Sequence, residues 1–495
     1  MTVQDSPART AVLPDVVARG RLFIGGDWRG ASGGGTTEVL NPATGRPAAA
    51  VAAGTTADVD AAVAAAREAF DDGRWSGLSG RERSRVLARA SQLIRDRAAE
   101  LALVESTDVG KPITFATVVD VATAADQYEY VAALAQQLDG PVRETPLPAH
   151  AFTRRVPLGV VAAITPFNFP LVLSSTKIAA ALAAGNTVVH KPATDTPLSA
   201  LLLAEVLTRA GVPPGVFNVV PGAGATLGDR LVSHPDVNKV AFTGSTEIGA
   251  HVAALAGRGL RPVTAELGGN AANILFADAD LEKAVGTIIS AFVFNTGQFC
   301  MAGPRLLVER PVYETVLGIL KGAVPGVPVG SPADPATVVG PLASRRQLEK
   351  VSAMVDAARA AGGEVVTGGA PLELDGGYYY RPTVIAGLGS DAEAVQEEIF
   401  GPVLTVQPFD TEEEAVALAN GTPYGLAAGV QTSSISRAHR VSAALDAGIV
   451  WVNSWALLDP AVPFGGVKAP GWGREYGPEA LESYTRTKST LIGLG

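Results

Sequence analysis

Residues 158–191 read LGVVAAITPFNFPLVLSSTKIAAALAAGNTVVHK, and this stretch decides the architecture. The run 158–164 is apolar on both faces, is too short for a helix and stops before Pro166, which predicts a strand buried on both sides. Pro170 can open a helix, because its missing N–H is one that a first turn leaves unpaired anyway. Residues 171–184 carry apolar side chains at helical spacing until Gly185 and Asn186 close the segment. A second short apolar run, 187–190, follows. Strand, helix and strand in this order predict a parallel pair joined by a crossover helix.

The alternation extends outward. Thr196 and Pro197 are placed to cap and open another helix, 217–220 reads as a strand, and a helix follows Gly224. Residues 239–242 read as a strand that turns at Thr243 and Gly244 into a helix starting near Ser245. Such a series predicts a nucleotide-binding lobe, whose ligands lie beyond the carboxyl ends of the strands. After Val263 a second series begins, with strands expected at 273–276, 305–308 and 450–453 and a long helix at 345–361, which predicts a separate α/β lobe. Upstream, 59–70 and 81–101 have helical periodicity, so the first hundred residues after the lead-in are expected to be largely helical. The stretch 138–157 holds four prolines among mixed charges and reads as a hairpin or arm leaving the main body.

Composition narrows the function classes. A chain of 495 residues exceeds one ordinary core and predicts two or three lobes. With 47% hydrophobic and 18% charged residues it has ample apolar surface to bury. A net charge of −10 argues against a nucleic-acid partner or a surface built for anionic lipid. Residues 1–20 mix acids and prolines with apolar residues, lack the hydrophobic core of a secretory signal and are expected to be a mobile lead-in. No uninterrupted run of about 18 apolar residues occurs, so no membrane span is expected and a cytoplasmic location is. The single cysteine excludes internal disulfides and thiolate zinc clusters, and five scattered histidines lack ligand spacing, so no metal is expected.

Three local signals carry chemistry. Cys300 sits in FNTGQFCMAGPR, where Gly297, Gly303 and Pro304 imply a turn between a helix and a strand, a junction that can expose a thiol to backbone amides. Glu266 ends the strand-like VTAELGG and is followed by Gly268 and Gly269. Asn168 lies in TPFNFP, its direction restricted by Pro166 and Pro170. Each has an ordinary alternative: a small buried hydrophobe, a solvated acid before a turn, and a helix cap.

These strings and their order resemble the aldehyde dehydrogenase superfamily over nearly the whole chain. The resemblance is carried by FIGGDW from Phe23, NPATG from Asn41, VGKP around Gly110, PFNFP, HKPA from His190, FTGSTEIG from Phe242, ELGGN, GQFC, EEIFGPV from Glu397 and PFGGVK from Pro463. It implies an α/β fold with a Rossmann-type cofactor domain (21–133 and 155–262), an α/β catalytic domain (263–474) and a β oligomerisation arm (134–154 and 475–495). Such an arm would add strands to a partner's sheet, implying a homodimer or homotetramer.

The resemblance also implies roles. Cys300 attacks an aldehyde, the Asn168 amide and the Cys300 backbone amide hold the resulting oxyanion, hydride passes to nicotinamide, and Glu266 activates the water that opens the thioester. Relatives that transfer the acyl group to coenzyme A generally lack a base at the Glu266 position, so hydrolysis is expected. Cofactor contacts are implied for Thr165, Pro166, Phe167, Lys191, Thr194, Phe242, Gly244, Ser245, Leu267, Glu398 and Phe400, with Gly224 and Gly228 in a glycine string that by itself is weak. Ser245, at a helix start, is the better phosphate contact.

NAD-preferring relatives usually carry a glutamate where this chain has Thr194. A carboxylate would repel a 2′-phosphate, whereas a threonine hydroxyl with Lys191 nearby can accommodate one, so NADP is expected to be accepted beside NAD. The alternative is that Thr194 only weakens NAD binding. Asn270 replaces a more usual lysine and Pro470 a small hydroxyl residue. The access tunnel is expected at Phe167, Val172, Phe299, Met301, Trp455, Leu457 and Phe464, nearly all apolar and without an arginine for an anionic aldehyde. PFNFPLVLS and CMAG resemble the benzaldehyde and vanillin branch, and ELGGNAANILF the succinate semialdehyde branch, so an apolar or aromatic aldehyde stands against an aliphatic semialdehyde. A cofactor-independent thiol hydrolase would need a histidine base, and His190, His234 and His251 fall in the cofactor lobe on this reading.

Overall fold

A computed structural model describes residues 13–469 and 471–494. Residues 1–12 of the expected lead-in, and Pro470, lie outside the described residues. Asp15–Arg19 is a short helix whose Val17 is fully buried in the core that also holds helix Leu198–Ala210.

The expected strand–helix–strand unit is present as Val160–Ile164, Pro170–Ala183 and Thr187–Lys191. Five parallel strands form the centre of an eight-stranded sheet in the order Phe217–Val219, Thr187–Lys191, Val160–Ile164, Val237–Thr243 and Val263–Glu266. Their side chains are buried on both faces because helices cover both sides, which is why they read as unbroken apolar runs. The antiparallel strands Leu22–Ile24 and Asp27–Arg29 extend one edge, and Gly471–Trp472 pairs antiparallel at the other.

The division expected between residues 262 and 263 falls directly before a strand of this sheet. Val263–Glu266 pairs with Val237–Thr243, and Gly471–Trp472 returns from near the end of the chain to join it. A short apolar run announces a strand but not the sheet that recruits it.

A second, seven-stranded sheet runs Glu364–Thr367, Thr383–Ala386, Val403–Phe409, Arg305–Glu309, Ala272–Leu275, Ala427–Gln431, Ile449–Val452, all parallel except the first. The proline-rich segment forms Val142–Arg143 and Ala149–Pro157, and Thr485–Gly493 lies antiparallel along the latter. Helix Gly477–Ser483, just before that last strand, instead buries Ala480 and Leu481 in the core of the first lobe. Among the described residues no helix is long and apolar enough to cross a membrane.

Two further expectations fail locally. Residues 22–52 are not helical: Thr36–Asn41 and Arg46–Ala52 form a hairpin turned at Gly45, which has φ of 65°. The alanines of Arg46–Ala52 have helical propensity, but Pro47 and the cross-strand partners override it. The periodicity of 81–101 belongs to two helices, Gly80–Asp96 and Ala98–Val109, broken at Arg97. The first begins with a reciprocal cap between Ser79 and Glu82.

Candidate active site

Strand register places the site loops at one level. Ile164 is opposite both Lys191 and Phe242, and Thr243 is opposite Glu266, so the chain leaves all four strands on the same edge of the sheet. The crevice there lies beside the point where strand order reverses about Val160–Ile164, the place such folds bind ligands.

Asn168 is 3% exposed in the loop between Val160–Ile164 and Pro170–Ala183. Its Nδ2 donates to the Gln298 carbonyl at 2.9 Å, leaving the second N–H of the amide for another acceptor. Its backbone carbonyl accepts from Asn295 Nδ2, also at 2.9 Å, and the same Nδ2 donates to Gln298 O at 3.0 Å. Asn295 and Thr296 are held at φ of 48° and 57°, in a left-handed region that costs a non-glycine residue about 1–2 kcal/mol. Thr296 Oγ1 donates to Gly340 O and Gln298 Oε1 accepts from Ala343 N, so the cysteine loop is fastened from both lobes. Sequence reading missed Asn295, Thr296 and Gln298; their signal was a polar run directly before the cysteine at a buried junction.

Cys300 is partly buried. Burial, then the negative charges of Glu398 and Glu266, push its thiol well above the usual range. Glu266 is 3% exposed, and neither carboxyl oxygen has a hydrogen-bond partner among the described residues. Burial and the charge of Glu475 raise its pKa well above the ordinary carboxylate value, with Lys177 and Arg474 opposing. Glu475 is itself buried in an ion pair with Lys177, two residues that sequence reading did not single out. At Gly269 an added methyl would run into the Cys300 carbonyl, which explains the glycine after Glu266 and Leu267.

The crevice has the chemistry of a dinucleotide site. Ser245 caps helix Thr246–Arg258, its Oγ accepting from Ile248 N, and the preceding Gly244 lies tight against the Phe242 ring. The hydroxyls of Thr243 and Thr246 are buried without a protein partner beside the free N–H groups of that helix start. Orphaned hydroxyls next to a helix N-terminus suit an anionic group. Leu267 packs against Gly249 on the same helix. Gly224 opens helix Gly224–Ser233, and space is open at both Gly224 and Gly228.

Other expected contacts are tied to neighbours. Thr165 Oγ1 lies 2.9 Å from His190 Nε2. Thr194 Oγ1 donates to Gly222 O at 3.0 Å. Lys191 Nζ donates to Pro192 O, and burial lowers its pKa to about 8. Thr196 is not the helix cap expected of it: its hydroxyl bonds Phe167 O, and Asp108 takes the helix-start amide of Leu198. Glu398 Oε1 accepts from Gly269 N at 3.0 Å, and burial raises that carboxyl to about 7. Asn270 Nδ2 donates to the carbonyls of Val395 and Glu397, steadying the Glu398 segment. Phe400, at φ of 59°, meets the Phe167 ring edge-on at 5.8 Å.

Of the expected tunnel residues, Val172, Phe299, Met301, Trp455 and Phe464 share one apolar cluster with Cys300. Phe167 and Leu457 stand apart, Phe167 against Phe400 and Leu457 69% exposed. The cluster also includes Phe169, Trp451 and Tyr476. Trp455 Nε1 donates to Met301 O and Trp451 Nε1 to Leu457 O, so both indoles present apolar faces. Burial lowers His190 to about 3, keeping it neutral, and it bonds Thr165 and Ser174. His234 and His251 face Asp60, Asp236 and Asp229, so the polar partners of the three histidines are groups other than Cys300.

The profile of the aldehyde dehydrogenase family matches residues 28–490. An aldehyde dehydrogenase from Bacillus cereus, solved as its NAD+ complex, superposes with a TM-score of 0.94 at 42% identity, covering 96% of each chain. An indole-3-acetaldehyde dehydrogenase from P. syringae, solved as a mutant with NAD+ and IAA, matches with a TM-score of 0.94 at 43% identity over 96% of this chain and 97% of that one. Betaine aldehyde dehydrogenase from Staphylococcus aureus, solved with NAD+, matches with a TM-score of 0.95 at 36% identity over 96% of both chains.

Proposed function

The chain belongs to the aldehyde dehydrogenase family, and from that premise we propose that it oxidises an apolar or aromatic aldehyde to the carboxylic acid through Cys300, accepting NADP as well as NAD. The observation that carries this reading is the convergence of Cys300, Asn168 and Glu266 where the two lobes meet, with an apolar wall around the thiol.

The residues supply an ordered mechanism. Cys300 Sγ, once deprotonated, adds to the aldehyde carbonyl and forms a thiohemiacetal. The free N–H of the Asn168 amide and the Cys300 backbone amide stabilise the oxyanion, and the Gln298 tether fixes the direction of the Asn168 donor. The chemistry that a nicotinamide cofactor held beside Glu398 and Phe400 would supply is hydride acceptance, which would leave Cys300 carrying a thioester. Glu266 then takes a proton from water, which attacks the thioester carbon and returns the thiolate as leaving group. Its raised pKa makes it a stronger base than an exposed carboxylate once ionised.

Ser245, the helix start at Thr246 and the orphaned hydroxyls of Thr243 and Thr246 would hold the pyrophosphate, and Glu398 and Phe400 the nicotinamide end. Thr165, Pro166, Phe167, Phe242, Gly244, Leu267, Gly224 and Gly228 would line the crevice between. Tolerance of a 2′-phosphate rests on Thr194 and Lys191, neither of which brings a negative charge to that end. The NAD+ complexes of the B. cereus and S. aureus relatives support a dinucleotide here.

Substrate class rests on the aromatic wall formed by Phe169, Phe299, Trp451, Trp455 and Phe464 around the thiol, an apolar setting that disfavours burying the carboxylate of an anionic aldehyde. The chain would work as a homodimer or homotetramer through its arm, whose outer strand carries the half-exposed Leu491 and Ile492. The test is aldehyde-dependent reduction of NADP and NAD with benzaldehyde, hexanal and succinate semialdehyde. Benzaldehyde turnover that Cys300→Ala abolishes supports the reading. Preference for succinate semialdehyde overturns the substrate class, and activity persisting in Cys300→Ala overturns the mechanism.

A further inference from the structure

Helix Ala98–Val109 lies behind the site and carries two fully buried carboxylates one turn apart, Glu105 and Asp108. Each is directed at the start of a different helix. Glu105 Oε1 accepts from Leu171 N at 3.1 Å, in the first turn of Pro170–Ala183, and Asp108 Oδ2 accepts from Leu198 N at 2.8 Å, at the first residue of Leu198–Ala210. Neither helix has a side-chain cap from its own N-cap residue. Both begin where a site loop ends: 165–169 with Asn168 for the first, 192–197 with Thr194 for the second.

The turn after this helix adds a cation. Lys111 is buried, pairs with Asp120, lies 3.8 Å from Glu105, and sets its ammonium 3.9 Å from the centre of the Phe169 ring. Phe169 follows Asn168 and packs on Phe294 and Phe299, which bracket the loop leading to Cys300. Asp120 sits in a π-helical turn, Ala116–Val121, a geometry that often marks functional sites. A buried charged cluster is weak evidence for stability, since desolvation offsets most of the attraction. A role in geometry explains its two separate targets.

We propose that Glu105 with Lys111, and Asp108, are positioning residues that hold the two site loops separately. Glu105 and Lys111 set the Asn168 corner beside Cys300, and Asp108 sets the Thr194 loop at the adenosine end of the crevice. The inference rests on the roles given above to Asn168 and Thr194. It requires that loss of Glu105 act on turnover and loss of Asp108 on cofactor affinity.

The experiment compares Glu105→Met and Asp108→Ala with Glu105→Gln and Asp108→Asn in the full chain, reading kcat with saturating cofactor and NADP dissociation by protein fluorescence. Wild-type turnover that Asn168→Ala lowers at least about 10²-fold is secured first; turnover indifferent to Asn168→Ala overturns the underlying reading and the Glu105 half of the proposal with it. With that in place, Glu105→Met lowers kcat about tenfold with the NADP Kd within about twofold, and Asp108→Ala does the reverse. The amide variants keep an acceptor but lose its charge, so they give the same split at about twofold to threefold, and they carry the test if the truncations fail to fold. Parallel change of both quantities in either pair, or change in neither, overturns the proposal.

Discussion

The Asn168 side-chain amide is bonded to the Gln298 carbonyl at 2.9 Å, across 130 residues of sequence and the boundary between two sheets. The proposed oxyanion donor is thereby tethered two residues before the proposed nucleophile, and the position of one is set by the other.

Asn168→Ala removes both donor and tether. It is expected to lower kcat by about 10²–10³-fold, the usual effect of deleting one oxyanion donor, with a small change in cofactor KM, as read by NADPH absorbance.

Asn295→Ala deletes the side chain bridging Asn168 O and Gln298 O while the left-handed backbone persists. Two carbonyls lose a donor, so unfolding stability should fall by about 1–3 kcal/mol, measured by urea denaturation, and kcat should fall with it.

Glu266→Gln separates the two halves of the reaction. A burst of reduced nicotinamide close to one per active site should survive in rapid mixing while steady turnover falls at least about 10²-fold, because in the proposed mechanism only thioester hydrolysis needs the base. Absence of the burst would move Glu266 to an earlier step.

The sole cysteine allows thiol ionisation to be read without interference. Burial, Glu398 and Glu266 raise the Cys300 thiol, so the protonated form dominates at neutral pH and the reactive thiolate grows as pH rises. Alkylation by iodoacetamide in the free enzyme should therefore climb from about pH 7 to beyond about pH 9 without a plateau, and Glu398→Gln should move the curve to lower pH. A plateau near neutrality would contradict the burial argument.

Thr194→Glu introduces a carboxylate at the proposed adenosine end and removes the bond to Gly222 O. Repulsion of a 2′-phosphate should lower kcat/KM for NADP by on the order of 10²-fold while NAD is retained or improved, measured with one aldehyde and both cofactors.

The sequence alone determined the strand–helix series, the turns that present Asn168, Glu266 and Cys300, and the ordered strings that mark the family. Each of these depends on residues within a few positions of one another, where proline, glycine and apolar periodicity act directly on the backbone. Tertiary structure decided the rest. The strand ending in Glu266 was legible, but its place in the first sheet depends on a partner more than 20 residues upstream and another near the chain end. The alanines before residue 52 carry helical propensity and become a hairpin because cross-strand pairing outweighs it. Lys177 and Glu475, 298 residues apart, and Glu105 with Leu171, 66 apart, meet only in the folded chain. A contact between distant segments leaves no local periodicity behind, so only packing reveals which buried charge supports which loop.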